Sequence, residues 1–229
     1  MNALIDQVLD DSGFRDNPYF TALRDGSFER DDFLETQVQF YFAVVFFSRP
    51  MAAVAAKIPE AQRRVEVLRN VWEEHGEGDA SLMHGATFLT FLNRLGGLDE
   101  AAVDARALWP EVRVFNTTLV GAAVLDDYLV SVGMLGIIER MFSEISAWIG
   151  EAVVARAWFE RERLIHYTLH HELDIKHADD FFKVLAPVWE SDPESRYAIE
   201  QGIRLGATVF DGLYRGLHRA RARRWMMPG

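Results

Sequence analysis

The sequence predicts an all-α fold, a single-domain bundle of seven to nine helices. Three observations carry that reading. Apolar residues recur at helical spacing in nearly every segment. No segment alternates convincingly with the period of two that a strand requires. Pro, Gly and capping residues fall mostly between the periodic stretches. The 229 residues contain no repeat of fixed period and no Pro/Gly/Ser-rich linker, so 1–229 is expected to be one domain.

Residues 2–11 and 18–24 are predicted as short helices, the second opened by Asn17 as cap and Pro18 as first helical residue. Residues 27–58 form a long helix with a kink expected at Pro50, ended by Pro59. Its centre is aromatic on several sides (Phe40, Tyr41, Phe42, Phe46, Phe47), as befits a helix wrapped by others. A helix over 60–74 weakens at Gly76-Glu77-Gly78-Asp79, and a further one over 80–95 ends at Gly96-Gly97. Residues 99–108 suit a short helix, and Pro110 opens one that runs to about 130. Helices over 134–158, 160–186 and 194–225 complete the chain. The last carries an apolar stripe through Ile199, Ile203, Gly206, Phe210, Leu213 and Leu217.

Composition narrows the function. With 24 basic and 35 acidic residues the net charge is −11, which argues against a nucleic-acid surface. The exception is the stretch from Arg215 to Arg224 with five arginines, read either as a solvated last turn or as a contact for acidic partners or subunits. No cysteine is present, which excludes disulfides, thiolate metal sites and Cys nucleophiles. The start, Met-Asn-Ala-Leu-Ile-Asp, lacks the basic and apolar regions of a signal peptide. The most apolar run, 40–56, is broken by Arg49-Pro50 and is too short to span a bilayer. A cytoplasmic protein is expected, acting on a small-molecule substrate without nucleic acid or membrane, with homodimerisation open.

One stretch stands apart. Residues 166–182 hold no Pro or Gly, and His170, Asp174 and His177 are spaced i, i+4, i+7. All three fall on one helix face, which continues into the apolar Phe181 and Val184. Burying such groups without partners costs several kcal/mol each. A metal ion removes that cost, because imidazole nitrogen and carboxylate oxygen are what Fe, Mn or Zn bind.

Facing helices should supply further ligands. On the stripe Leu135, Ile138, Phe142, Ile145 and Ile149, Glu139 lies between Leu135 and Phe142 and points inward; the alternative is a boundary residue paired with an arginine. Glu144, one turn from Arg140, fits an exposed ion pair. His84 heads the stripe Phe88, Phe91 and Leu95, and Glu77 lies two turns before it on the same side if the helix persists. Glu74, one turn earlier, is a reserve ligand, and His75 points elsewhere. The glycines flanking Glu77 disfavour helix by roughly 1 kcal/mol each, so this turn is expected to be mobile without metal. The candidate set is Glu77, His84, Glu139, His170, Asp174 and His177. That exceeds a mononuclear 2-His-1-carboxylate site and suits two ions bridged by a carboxylate. Without thiolates, Fe or Mn is favoured for redox chemistry, with hydrolytic Zn or Mn the other option.

Glu-x6-His, a lone Glu and His-x3-Asp-x2-His together resemble the haem-oxygenase-like di-iron oxidases. These include para-aminobenzoate-forming, undecene-forming and amino-acid-oxidising members. The resemblance spans Glu77 to His177 and implies a seven-helix haem-oxygenase-like bundle. It also implies one iron near Glu77, His84 and His170, a second near Glu139, Asp174 and His177, and all six as catalytic metal ligands. The implied activity is O2-dependent oxidation of a small amino-acid or carboxylic-acid metabolite through a peroxo-diferric stage. The outcome would be desaturation, C–C cleavage, decarboxylation or N-oxygenation, with Mn as an alternative metal. The para-aminobenzoate-forming members carry a lysine beyond the lone Glu. Here the lysines are Lys57, Lys176 and Lys183, so self-sacrificial synthesis is not expected. Haem oxygenase itself has a proximal His early in the chain, whereas the first His here is His75. The pocket is expected at Phe40, Phe46, Phe47 and Phe88, with Arg49 as anchor for a carboxylate. Two alternatives remain: a metal- or partner-binding protein without turnover, and a cofactorless oxidase of the pyrroloquinoline-quinone synthase type.

Overall fold

Each periodic stretch becomes a helix in the computed structural model, which describes residues 1–228 apart from the side chains of residues 168–173. The described residues form ten α-helices: α1 (Asn2–Ser12), α2 (Pro18–Asp25), α3 (Arg30–Lys57), α4 (Ala61–Glu74), α5 (His84–Gly96), α6 (Glu100–Asp104), α7 (Pro110–Leu125), α8 (Tyr128–Ala155), α9 (His166–Trp189) and α10 (Pro193–Ala220). They contain no strand; a single antiparallel bridge joins Arg106 to Met226. The all-α prediction holds, with ten helices in place of seven to nine. The three short helices α1, α2 and α6, of 11, 8 and 5 residues, each match an expected element and take the total above the seven of the implied bundle. Local chemistry delimits each of them. Gly13, left-handed at φ 62°, closes α1. The Asn17 side chain accepts from the Tyr19 amide to open α2, and Asp99 accepts from Ala102 to open α6.

The predicted helix from 110 to about 130 ends instead at Leu125. Asp127 Oδ1 accepts from the Leu129 amide at 2.8 Å and so caps a new helix, α8, that begins earlier than expected. Asp127→Ala is expected to cost about 1 kcal/mol. In a chain of this size that is a fall of about 2–4 °C in Tm, read by thermal denaturation.

α8 is buried along nearly its whole length and packs against α9 on one side and α10 on the other. α3 runs unbroken through Pro50 and packs against α4, α5 and α7. By length and composition α3 could cross a membrane, but half of its most apolar window is buried as a core helix of this bundle. The C-terminal arginines are tied back onto the chain: Arg215 to Asp211 at 2.6 Å, Arg223 to Glu111 at 2.8 Å and Arg224 to Asp32 at 2.6 Å. α4, α5, α8 and α9 surround one cluster of polar side chains in the interior.

Candidate metal centre

Each helix brings an ionisable side chain inward from a face that is otherwise apolar. Glu74 ends α4, Glu139 lies midway along α8, and His177 lies midway along α9. All three are buried, and one ligand atom from each lies within 4.8 Å of the other two. His84, the first residue of α5, places Nδ1 2.8 Å from Glu74 Oε2. Asp174, one turn before His177, is 1% exposed. A third buried imidazole, His166, holds Nδ1 3.0 Å from Thr87 Oγ1, whose hydroxyl in turn donates to the His84 carbonyl.

Glu77 is not part of this cluster. α4 stops at Glu74, and Gly76, Glu77 and Gly78 all take left-handed backbone angles, with φ of 63°, 53° and 93°. That turn breaks the helical phase on which the pairing of Glu77 with His84 depended, and it leaves Glu77 exposed. A left-handed non-glycine residue costs roughly 1–2 kcal/mol. Glu74, the reserve ligand, occupies the interior position instead. His75 points away, with Nδ1 2.7 Å from the Val71 carbonyl. The side chain of His170 lies outside the described residues.

The donor set fits a cation. Glu139 Oε1 and His177 Nδ1 are buried, lie 3.9 Å apart and have no hydrogen-bond partner among the described residues. Leaving such atoms unsatisfied costs about 1–3 kcal/mol each. Burial, together with the negative charges of Asp174 and Glu74, pushes the Glu139 carboxyl well above its ordinary range. Burial alone would lower His84, but the charge and hydrogen bond of Glu74, aided by Asp174 and Glu73, hold it above its ordinary value. Three buried carboxyls with two imidazoles, all O and N donors, make a centre for Fe, Mn or Zn. Glu74, His84, Glu139, Asp174 and His177 could hold such ions.

The cluster forms the polar end of a chamber whose other walls are apolar, notably Phe40, Phe47, Phe115, Phe142 and Phe210. No Lys or Arg is among its described lining residues. Of the four predicted phenylalanines, Phe40 and Phe47 line it. Phe88 packs behind, its ring 4.6 Å from that of His166. Phe46 lies under Arg49, 5.5 Å from the guanidinium carbon, and Arg49 is exposed and away from the chamber. The pocket anchor expected at Arg49 is therefore corrected. Phe142 and Phe210 were visible as stripe residues of α8 and α10, but nothing in their spacing says that the two stripes meet. His166 was legible in principle, since it precedes His170 and Asp174 at intervals of four.

Comparison with known proteins agrees with this arrangement. Residues 34–211 match the model of a family described as iron-containing redox enzymes. Several solved structures share the fold, three of them as follows. A CADD-like protein of unknown function from Nostoc punctiforme is 15% identical, with a TM-score of 0.78 over 97% of this chain and 98% of the other. A domain of unknown function with a heme oxygenase-like fold from Shewanella denitrificans is 14% identical, with a TM-score of 0.77 over 95% and 91%. A TenA family transcription regulator from Silicibacter is 16% identical, with a TM-score of 0.72 over 94% and 95%. No curated protein matches the chain.

Proposed function

Because the chain belongs to the iron-containing redox enzymes, we propose that it is a non-haem oxidase or oxygenase holding two iron ions in the buried cluster. It uses O2 to oxidise a small carboxylic or amino acid. Glu74 and His84, with His170, would hold one ion; Glu139, Asp174 and His177 would hold the other. Iron bound there would supply redox chemistry toward O2, and manganese is the alternative occupant. The chain's own residues do the rest. The phenylalanines exclude water and take up the apolar part of the substrate. With no basic side chain among the described lining, the polar head of the substrate is directed to the carboxylate–imidazole end. The outcome is desaturation, C–C cleavage, decarboxylation or N-oxygenation.

The observation that carries this reading is the pair of buried atoms, Glu139 Oε1 and His177 Nδ1, which lie 3.9 Å apart and have no hydrogen-bond partner among the described residues. Anaerobic titration of the metal-free protein with Fe(II) tests it. Two equivalents per chain are expected for the native protein, falling to one or none in Glu139→Ala and His177→Ala. No uptake by the native protein would leave a cofactorless oxidase or a partner-binding protein as the better reading.

A further inference from the structure

The two nitrogens of His177 have different surroundings. The ring is fully buried. Nδ1 faces Glu139 inside the cluster at 3.9 Å, whereas Nε2 lies 2.8 Å from Glu73 Oε2 on the opposite side. A carboxylate only accepts, so Nε2 must carry the proton. A neutral imidazole has one N–H, and Nδ1 is then left with its lone pair directed into the cluster. Glu73 is itself held: its other oxygen, Oε1, accepts from Lys176 Nζ, and its side chain is only 9% exposed.

Glu73 and Glu74 are neighbours on α4 with opposite tasks, Glu74 facing the cluster and Glu73 reaching the outer edge of an α9 imidazole. Turning the His177 ring over would place carbons at both positions, losing the Glu73 bond and the inward lone pair together. We propose that Glu73, braced by Lys176, is a positioning residue that fixes His177 in the Nε2–H tautomer, so that Nδ1 is the atom it offers to a metal ion. This rests on the reading of the cluster as a metal site. The chemistry is that of an outer carboxylate orienting an imidazole ligand, whose removal typically weakens metal binding 10- to 100-fold.

Two measurements test it. The first is Co(II) titration of the full-length protein, followed by its visible absorption. Glu73→Ala is expected to weaken one of the two sites by about 10- to 100-fold and leave the other unchanged. Glu73→Gln, whose amide oxygen can still accept from Nε2–H, is expected to recover part of the loss. Unchanged affinity at both sites in Glu73→Ala, with two ions still bound by the native protein, would overturn the proposal while leaving the metal-centre reading intact. The second needs neither a variant nor a metal: the ring-nitrogen NMR signals of His177 in the metal-free native protein at pH 8. The Nε2–H tautomer is expected, and an Nδ1–H tautomer would overturn the proposal. Should the native protein bind no metal, the function proposed above fails, and the tautomer still decides whether Glu73 orients the ring.

Discussion

Glu139→Gln is expected to stabilise the metal-free protein at alkaline pH and at the same time to abolish one of the two metal-binding sites proposed for it. The folded protein raises the Glu139 carboxyl because burial and the nearby Asp174 and Glu74 oppose its ionisation. A raised folded value means that the folded state binds more protons than the unfolded chain, so stability is lost as pH rises from the unfolded carboxyl value through the folded one. His84, raised mainly against burial by its pairing with Glu74, acts with the same sign: its contribution is complete below about pH 6.5 and fades as pH rises through the folded value. The metal-free native protein should therefore have a lower Tm at pH 8.5 than at pH 6.5, and Glu139→Gln should flatten that dependence. Bound metal reverses the trend, since ligands must lose protons to bind and affinity rises with pH. Thermal denaturation at the two pH values, with and without Mn(II), reads all of this. An apo protein whose Tm rises from pH 6.5 to 8.5, with the variant unchanged, would contradict it.

The second large effect concerns the frame that holds α8. Gly202→Ala on α10 would place a Cβ 2.0 Å from the Val130 carbonyl oxygen, and Gly206→Ala one 2.5 Å from the Met134 carbonyl oxygen. Both neighbours are backbone atoms, so neither can turn aside; the two helices must separate. Overpacking of this kind costs about 1–3 kcal/mol or more, which outweighs the up to ~1 kcal/mol that alanine gains over glycine in a helix. Gly212 lies on the same helix with nothing within 4 Å of its Cβ position. Gly212→Ala should therefore be stabilising by up to ~1 kcal/mol, while Gly202→Ala lowers Tm by several degrees. Because α8 carries Glu139, Gly202→Ala should also weaken metal uptake, whereas Gly212→Ala should not. Equal effects of the two substitutions would show that the α8–α10 approach is not tight.

Periodicity exposed the helices because an apolar stripe at 3.6-residue spacing is a local property. The same logic placed Glu139, Asp174 and His177 in the interior, each within a turn of apolar residues on its own helix. It failed at Glu77. There the helical phase was extended across Gly76 and Gly78, and left-handed residues rotate the chain away from the face that Glu74 still occupies. Glu73 was invisible for a different reason. Its partner His177 is 104 residues distant, and an acidic residue near the end of an amphipathic helix reads as solvated. The chamber was only half legible. Phe40 and Phe47 stood out in an aromatic run, but Phe115 and Phe210 join them only because α7 and α10 pack against each other.

Anomalous diffraction from crystals grown with Mn(II) or anaerobic Fe(II) addresses the central claim most directly. Two peaks are predicted in the buried cluster, one touching Glu74 and His84 and the other touching Glu139, Asp174 and His177. Crystals that diffract well but show no peak among these side chains, or show metal only at the surface near Glu77, would contradict it.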